Sequence, residues 1–171
     1  MAITINGTTG IAGVDGSAST PAVQGTDTNT GIFFPAADTI AFGEGGAEVM
    51  RLDSSANLQF NSGYGSVAVA YGCRAWVNFN GTGTPAIRAS GNVTSITDNN
   101  TGDYTVNFTT AMPDANYSVT TSGFESQGSY VTSGFEIRSG TAPTTSSVRG
   151  SCISYAGSYV DPTYVLVVIF R

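Results

Sequence analysis

The alternation of apolar and polar positions changes character twice along this chain. From Gly31 to Asn61 (GIFFPAADTIAFGEGGAEVMRLDSSANLQFN) apolar residues recur in pairs: Ile32/Phe34, Ile40/Phe42, Met50/Leu52 and Leu58/Phe60. Within each pair the spacing is two, so both side chains leave the same face of a strand. Successive pairs begin eight, ten and eight residues apart, separated by Gly, Asp, Ser, Asn and Ala. This predicts a ladder of very short strands. Such rungs cannot build a core alone, and the partner that repeats their pattern most simply is another copy of the chain. These eight residues are therefore the expected core of an assembly of copies.

Residues before the ladder are rich in Gly, Ser and Thr. Only Ile3 to Ile5 reads as a strand there, and the rest reads as extended or irregular. After the ladder, NSGYGS (Asn61 to Ser66) is a Gly/Ser linker. The expected divisions are an extended segment over 1–30, ladder and linker over 31–66, and a longer-stranded C-terminal region, the knob, over 67–171.

In the knob region the strands lengthen. Arg74 to Phe79 (RAWVNF) places Trp76 with Arg74 and Asn78 on one face, and Ala75, Val77 and Phe79 on the other. Ala86 to Ala89, Asn92 to Thr97, Tyr104 to Thr109, Tyr117 to Phe124, Tyr130 to Arg138, Thr145 to Tyr155 and Thr163 to Phe170 complete about eight strands. Turn signals recur at the spacing of an all-β sandwich or jelly roll, and no helix is predicted. VLVVIF (Val165 to Phe170) is apolar on both faces, so it belongs in a central strand or at a subunit interface.

The ladder TGIFFPAADTIAFGEGGAEVMRLDSSANLQF resembles the shaft repeat of tail fibres and other receptor-binding proteins of tailed bacteriophages, notably those of marine and cyanobacterial hosts. Ala70 to Val119 (AYGCRAWVNFNGTGTPAIRASGNVTSITDNNTGDYTVNFTTAMPDANYSV) resembles the start of the tip domain in the same proteins. The resemblance implies a homotrimeric virion protein. Its N-terminus would meet a phage tail or baseplate protein, and its knob would recognise a host surface polysaccharide or lipopolysaccharide.

Composition narrows the chemistry. Charged residues are 11% of the 171, there is no lysine or histidine, and the net charge is −6. The six cations are dispersed arginines: Arg51, Arg74, Arg88, Arg138, Arg149 and Arg171. Nucleic acid binding needs clustered cations, so that partner is not expected. An acidic, lysine-free surface also argues against anionic membranes, and no run reaches the about 20 apolar residues of a membrane span. The N-terminal MAITINGTTG lacks the basic and apolar regions of a signal peptide. The expected location is a virion tail, after synthesis in the host cytoplasm.

Without histidine, Ser-His-Asp and Cys-His catalysis are excluded. Glycoside hydrolysis needs only two carboxylates, for which Glu125 and Glu136 flank one predicted hairpin. The plainer reading is that both are solvated, and the chain is expected not to be an enzyme. Asp98 to Asp103 (DNNTGD) has the outline of a calcium loop but lacks the closing glutamate, with Thr109 in its place. A hairpin turn is the simpler account, so neither metal nor cofactor is expected. Cys73 and Cys152 read as two buried thiols rather than a disulfide. Six Asn-x-Ser/Thr sequons, including Asn92-Val-Thr, arise from composition.

Sugar recognition uses aromatic faces on apolar sugar faces, with amides, carboxylates and guanidinium groups reading hydroxyls. Tyr130, Tyr155 and Tyr159 lie in Gly/Ser surroundings at predicted strand ends, with Asp161 nearby. Tyrosines in such settings make rigid amphipathic contacts at low entropic cost. They are the expected receptor-binding residues. Trp76, inside a strand, is a weaker choice. A purely structural role, as a capsid decoration or tail collar protein, and polysaccharide cleavage are the alternatives.

Overall fold

The computed structural model describes residues 4–7, 10–63, 65–124, 131–154 and 156–171. All regular structure there is β, in antiparallel pairs. No helix among the described residues is long and apolar enough to cross a membrane. The chain divides into two compact units, Met1–Ala70 and Tyr71–Arg171.

The first unit begins with hairpins β1 (Thr4–Asn6) with β2 (Gly10–Ala12), and β3 (Gly16–Ser17) with β4 (Thr20–Pro21). Then come β5 (Val23–Gln24), β6 (Gly31–Phe33), β7 (Ile40–Glu44), β8 (Ala47–Leu52), β9 (Leu58–Phe60) and β10 (Ala68–Val69). These six pair in sequence order into one sheet. The described residues before the ladder thus hold more regular structure than their composition suggests, because short hairpins satisfy their backbone locally.

The ladder strands pair with one another inside the chain, a point that the pattern of apolar pairs leaves open. Short turns explain this, since Gly45 and Gly46 between β7 and β8 both take positive φ. Register puts Val23, Ile32, Phe42, Met50 and Phe60 in a row, with Ile40, Leu52 and Leu58 beside it. The opposite face carries Phe33 and Ala41, both buried. On that side the β3–β4 turn closes in: a Cβ on Gly43 would lie 3.0 Å from the Ala18 carbonyl oxygen. Phe34 N–H also donates to the Asp15 carbonyl at 2.8 Å.

The second unit contains β11 (Cys73–Asn80), β12 (Ala86–Gly91), β13 (Val93–Asn100), β14 (Asp103–Phe108), β15 (Ser118–Phe124), β16 (Val131–Ile137), β17 (Ser147–Ser154) and β18 (Tyr164–Phe170). They form two four-stranded sheets, ordered β12-β11-β18-β15 and β13-β14-β17-β16. The result is a β-sandwich. Ala75, Val77 and Phe79 of β11 and Val165, Val167 and Ile169 of β18 face Tyr104, Val106 and Phe108 of β14, with Phe135 and Val148. Phe79 and Tyr104 meet edge to face at 5.2 Å.

The chain changes sheets at Asn92, which sits at φ 56° between β12 and β13. Its Nδ2 donates to the Arg74 and Thr110 carbonyls, both at 3.1 Å. Its Oδ1 accepts from Thr110 N–H at 2.8 Å. One amide thereby ties three segments together. Both cysteines are free thiols; Cys152 is buried, but Cys73 is exposed, contrary to the expectation of two buried thiols. Cys73 opens β11, and its thiol donates to the Ala75 carbonyl at 3.4 Å.

Candidate functional site

The site is assembled around the β13–β14 hairpin. Thr101 and Gly102 make its turn, with Gly102 at φ 64°. A Cβ there would come 2.6 Å from the Cys152 carbonyl oxygen and 2.7 Å from that of Val160, so only glycine fits. Asp103 follows at once and is almost fully buried. Arg149 of β17 grips its carboxylate with two bonds, Nε to Oδ1 at 2.8 Å and Nη2 to Oδ2 at 2.7 Å. Arg138, just past β16, pairs with Oδ2 at 2.9 Å. The Arg149 hydrogen bond, followed by the charges of both arginines, holds the Asp103 carboxyl below the usual carboxylate range. With two cations on it, Asp103 is committed to this cluster rather than to a calcium loop.

Asp161 is the second anchor. Its Oδ1 accepts from Gly102 N–H and from the Tyr104 hydroxyl, both at 2.6 Å. Burial, reinforced by Asp161, pushes the Tyr104 hydroxyl well above its ordinary pKa. Val160 N–H donates to the Cys152 carbonyl at 3.1 Å. These contacts fix the segment leading from Tyr159 to β18 against the hairpin. Asp161 thus holds the loop in place with the oxygen expected to read a sugar hydroxyl.

Tyr159 sits on the loop so positioned. It bridges to Ile153 through its backbone and leaves its side chain half exposed. The Arg138 guanidinium lies 5.5 Å from its ring centroid, within cation–π range. Arg138 Nη1 also donates to the Ser151 hydroxyl at 3.3 Å. Together Tyr159, Arg138, Ser151, Ile153 and the exposed Glu136 line a groove of about 260 Å³. Past Ile137, Arg138 and Ser139 a second depression of about 580 Å³ runs along to Pro143. One aromatic face, one guanidinium paired with a buried carboxylate, one exposed carboxylate and hydroxyls suit a hydroxyl-rich, elongated ligand.

Of the residues expected from sequence, Tyr159 and Asp161 therefore fall in or beneath one groove. Tyr130, Tyr155 and Glu125 lie outside the described residues. Glu136 lines the groove, although it was singled out for hydrolysis. Arg138 and Asp103 were missed as site residues, since nothing local marks two side chains brought together from separate strands. Trp76 lies elsewhere, on the outer face of the β11 sheet.

A larger cleft, about 690 Å³, occurs on the ladder sheet between Phe34, Ile40 and Leu52, with Asp15, Asp38 and Asp53 around it. Its floor is apolar, and the exposed ladder residues form it. Volume favours this cleft, but the polar chemistry converges on the smaller groove.

No family model and no curated protein matches this chain. Among solved structures it is similar to the phiAB6 tailspike in complex with three-repeated oligosaccharides of Acinetobacter baumannii surface polysaccharide. Identity is 14% and the TM-score 0.45; the match covers 90% of this chain and 39% of that one. At that level nothing of the tailspike's activity transfers. The neighbour is of the phage-tail kind that the sequence resembles, and it does not point to the marine or cyanobacterial type. The expectation of a non-enzyme is corrected: it does not stand beside a neighbour that is a tailspike solved with surface-polysaccharide oligosaccharides.

Proposed function

We propose that this chain is a bacteriophage tail protein that binds a host surface polysaccharide or lipopolysaccharide through the Tyr159–Arg138 groove. In this reading residues 1–30 attach to a tail or baseplate protein. Residues 31–66 form the shaft and linker of a homotrimer, with Ile32, Phe34, Ile40, Phe42, Met50, Leu52, Leu58 and Phe60 at its core. Residues 67–171 are the knob, and three weak sites on one assembly gain strength by avidity. The observation that carries the reading is the half-exposed Tyr159 ring beside a guanidinium pinned by Asp103. Tyr130 and Tyr155, named from the sequence, are further receptor-binding residues in this reading.

Titration of host polysaccharide against the full chain tests it. Tyr159→Ala should weaken binding by roughly 1–3 kcal/mol for a lost stacking contact, by analogy with other aromatic platforms. The far-ultraviolet spectrum should stay unchanged. Unaltered binding by Tyr159→Ala would sink the groove as the receptor site.

A second reading, cleavage of the bound polysaccharide, is favoured by the exposed Glu136 in the same groove. Glu136 would be one of the two carboxylates such chemistry needs. Release of reducing ends that Glu136→Gln abolishes, with binding retained, is the required outcome.

A further inference from the structure

β18 is the central strand that its sequence predicts, and its outward side is as apolar as its inward one. Tyr164, Leu166, Val168 and Phe170 alternate with the core residues Val165, Val167 and Ile169. Register sets Val168 opposite Trp76 and Leu166 opposite Asn78 on β11. Trp76 lies flat on the sheet: a Cβ on Gly91, its partner on β12, would come 2.4 Å from the indole Nε1. The indole is 40% exposed, Phe170 40% and Tyr164 43%.

Charge narrows the choice. The chain is acidic, yet β11, β12, β15 and β18 carry no Asp or Glu. Their only cations are Arg74 and Arg88, and the Arg88 guanidinium is stacked 4.2 Å above the Tyr164 ring. A face cleared of carboxylates in a chain of net charge −6 can meet a copy of itself without repulsion between carboxylates. Aliphatic Leu166 and Val168 between the aromatics suit a protein surface better than a sugar, which needs polar groups at every ring. Area points the same way. The three aromatics expose roughly 250 Å², about a third of what each partner buries in a standard interface of about 800 Å² a side. The ladder sheet exposes a second uncovered apolar face, including Ile40, Leu52, Leu58 and Phe60. A partner that carries a matching carboxylate-free apolar face is another copy of this chain.

We infer that the outer face of the β11–β18 sheet, centred on Trp76 and Val168, is a second interface between copies of this chain. The inference rests on the homotrimer reading and adds to it a contact independent of the ladder. Trp76 is the chain's single tryptophan, so its fluorescence reports the face directly.

The test measures mass by light scattering and acrylamide quenching of Trp76 on the same full-length samples. The expected result is an oligomer in which quenching is several-fold lower than in Phe170→Asp, with the circular dichroism of the two alike. The double variant Leu52→Asp, Leu58→Asp separates the two interfaces. If it remains associated with Trp76 shielded, the sandwich face holds copies together without the ladder. A monomeric wild-type chain at micromolar concentration would overturn both this interface and the homotrimer. An oligomer in which Trp76 is quenched as readily as in Phe170→Asp would overturn this interface alone. Shielding that appears only on adding polysaccharide would overturn it in favour of a glycan-binding face.

Discussion

The ladder sheet and the sandwich use the same alternation of strand residues to different ends. In the sandwich, the inward residues of one sheet meet those of the other, and Phe79, Tyr104, Val106 and Val165 are all fully buried. In the ladder, one face has a thin cover from the β3–β4 turn over Phe33 and Ala41. The other face leaves Leu52, Leu58 and Phe60 each 44% exposed. A sheet with one covered face is not a closed core. The same kind of side chain is thus a stability element in one unit and a surface in the other, and the difference lies in what the fold lays over it.

The sharpest way to break this contrast is truncation. Phe79→Ala should destabilise the sandwich by about 3–5 kcal/mol, read from denaturant unfolding of the full chain. Leu58→Ala should cost far less at low protein concentration, with a loss that grows as concentration rises. Equal, concentration-independent losses would erase the distinction.

Next in size is the buried ion cluster. Asp103→Ala strips the partner from Arg149 and Arg138, both a third exposed, and should cost about 2–3 kcal/mol at neutral pH, less than breaking a fully buried pair. Its carboxyl has a lowered pKa in the folded chain. Its contribution is therefore complete above the unfolded value of about 3.9 and is lost as pH falls through the lowered folded value. Wild type should lose stability on acidification below about pH 4, and Asp103→Asn should flatten that slope. A variant with the wild-type acid limb would remove Asp103 as its source.

Smaller again is Tyr104→Phe. It deletes the hydroxyl that donates to Asp161 at 2.6 Å while Gly102 N–H still donates to the same oxygen. The expected cost is about 1–3 kcal/mol, for a hydrogen bond to a charged acceptor. Saccharide affinity should fall along with it if this anchor positions Tyr159. The smallest effect on stability belongs to Tyr159→Ala, within about 0.5 kcal/mol as for other surface changes. A large destabilisation there would make the residue part of the core rather than of a binding surface.

What the sequence made legible was local. RAWVNF, YTVNFT and VLVVIF appear as β11, β14 and β18 with the inward residues that their alternation implies. Period-two patterning suffices there because each strand buries one whole face. The candidate groove was half legible. Tyr159 carried a composition signal, but Asp161 gave no hint that its partners would be Gly102 and Tyr104, 59 and 57 residues away. Arg138 was equally silent, because it meets Asp103 only once β14, β17 and β16 stand side by side. β5 was unreadable for the opposite reason: two residues cannot show a period, and their pairing depends on β6 being already in place.

The switch at Asn92 bears on how this protein can be made. Asn92-Val-Thr is an acceptor sequence for the oligosaccharide that secretory pathways attach to Nδ2. That nitrogen already donates to the Arg74 and Thr110 carbonyls. A glycan would take one of its hydrogens and place a bulky sugar between segments that the amide draws together. Expression through a eukaryotic secretory route would therefore yield a sandwich unlatched at its sheet crossing, whereas the bacterial cytoplasm leaves the latch intact.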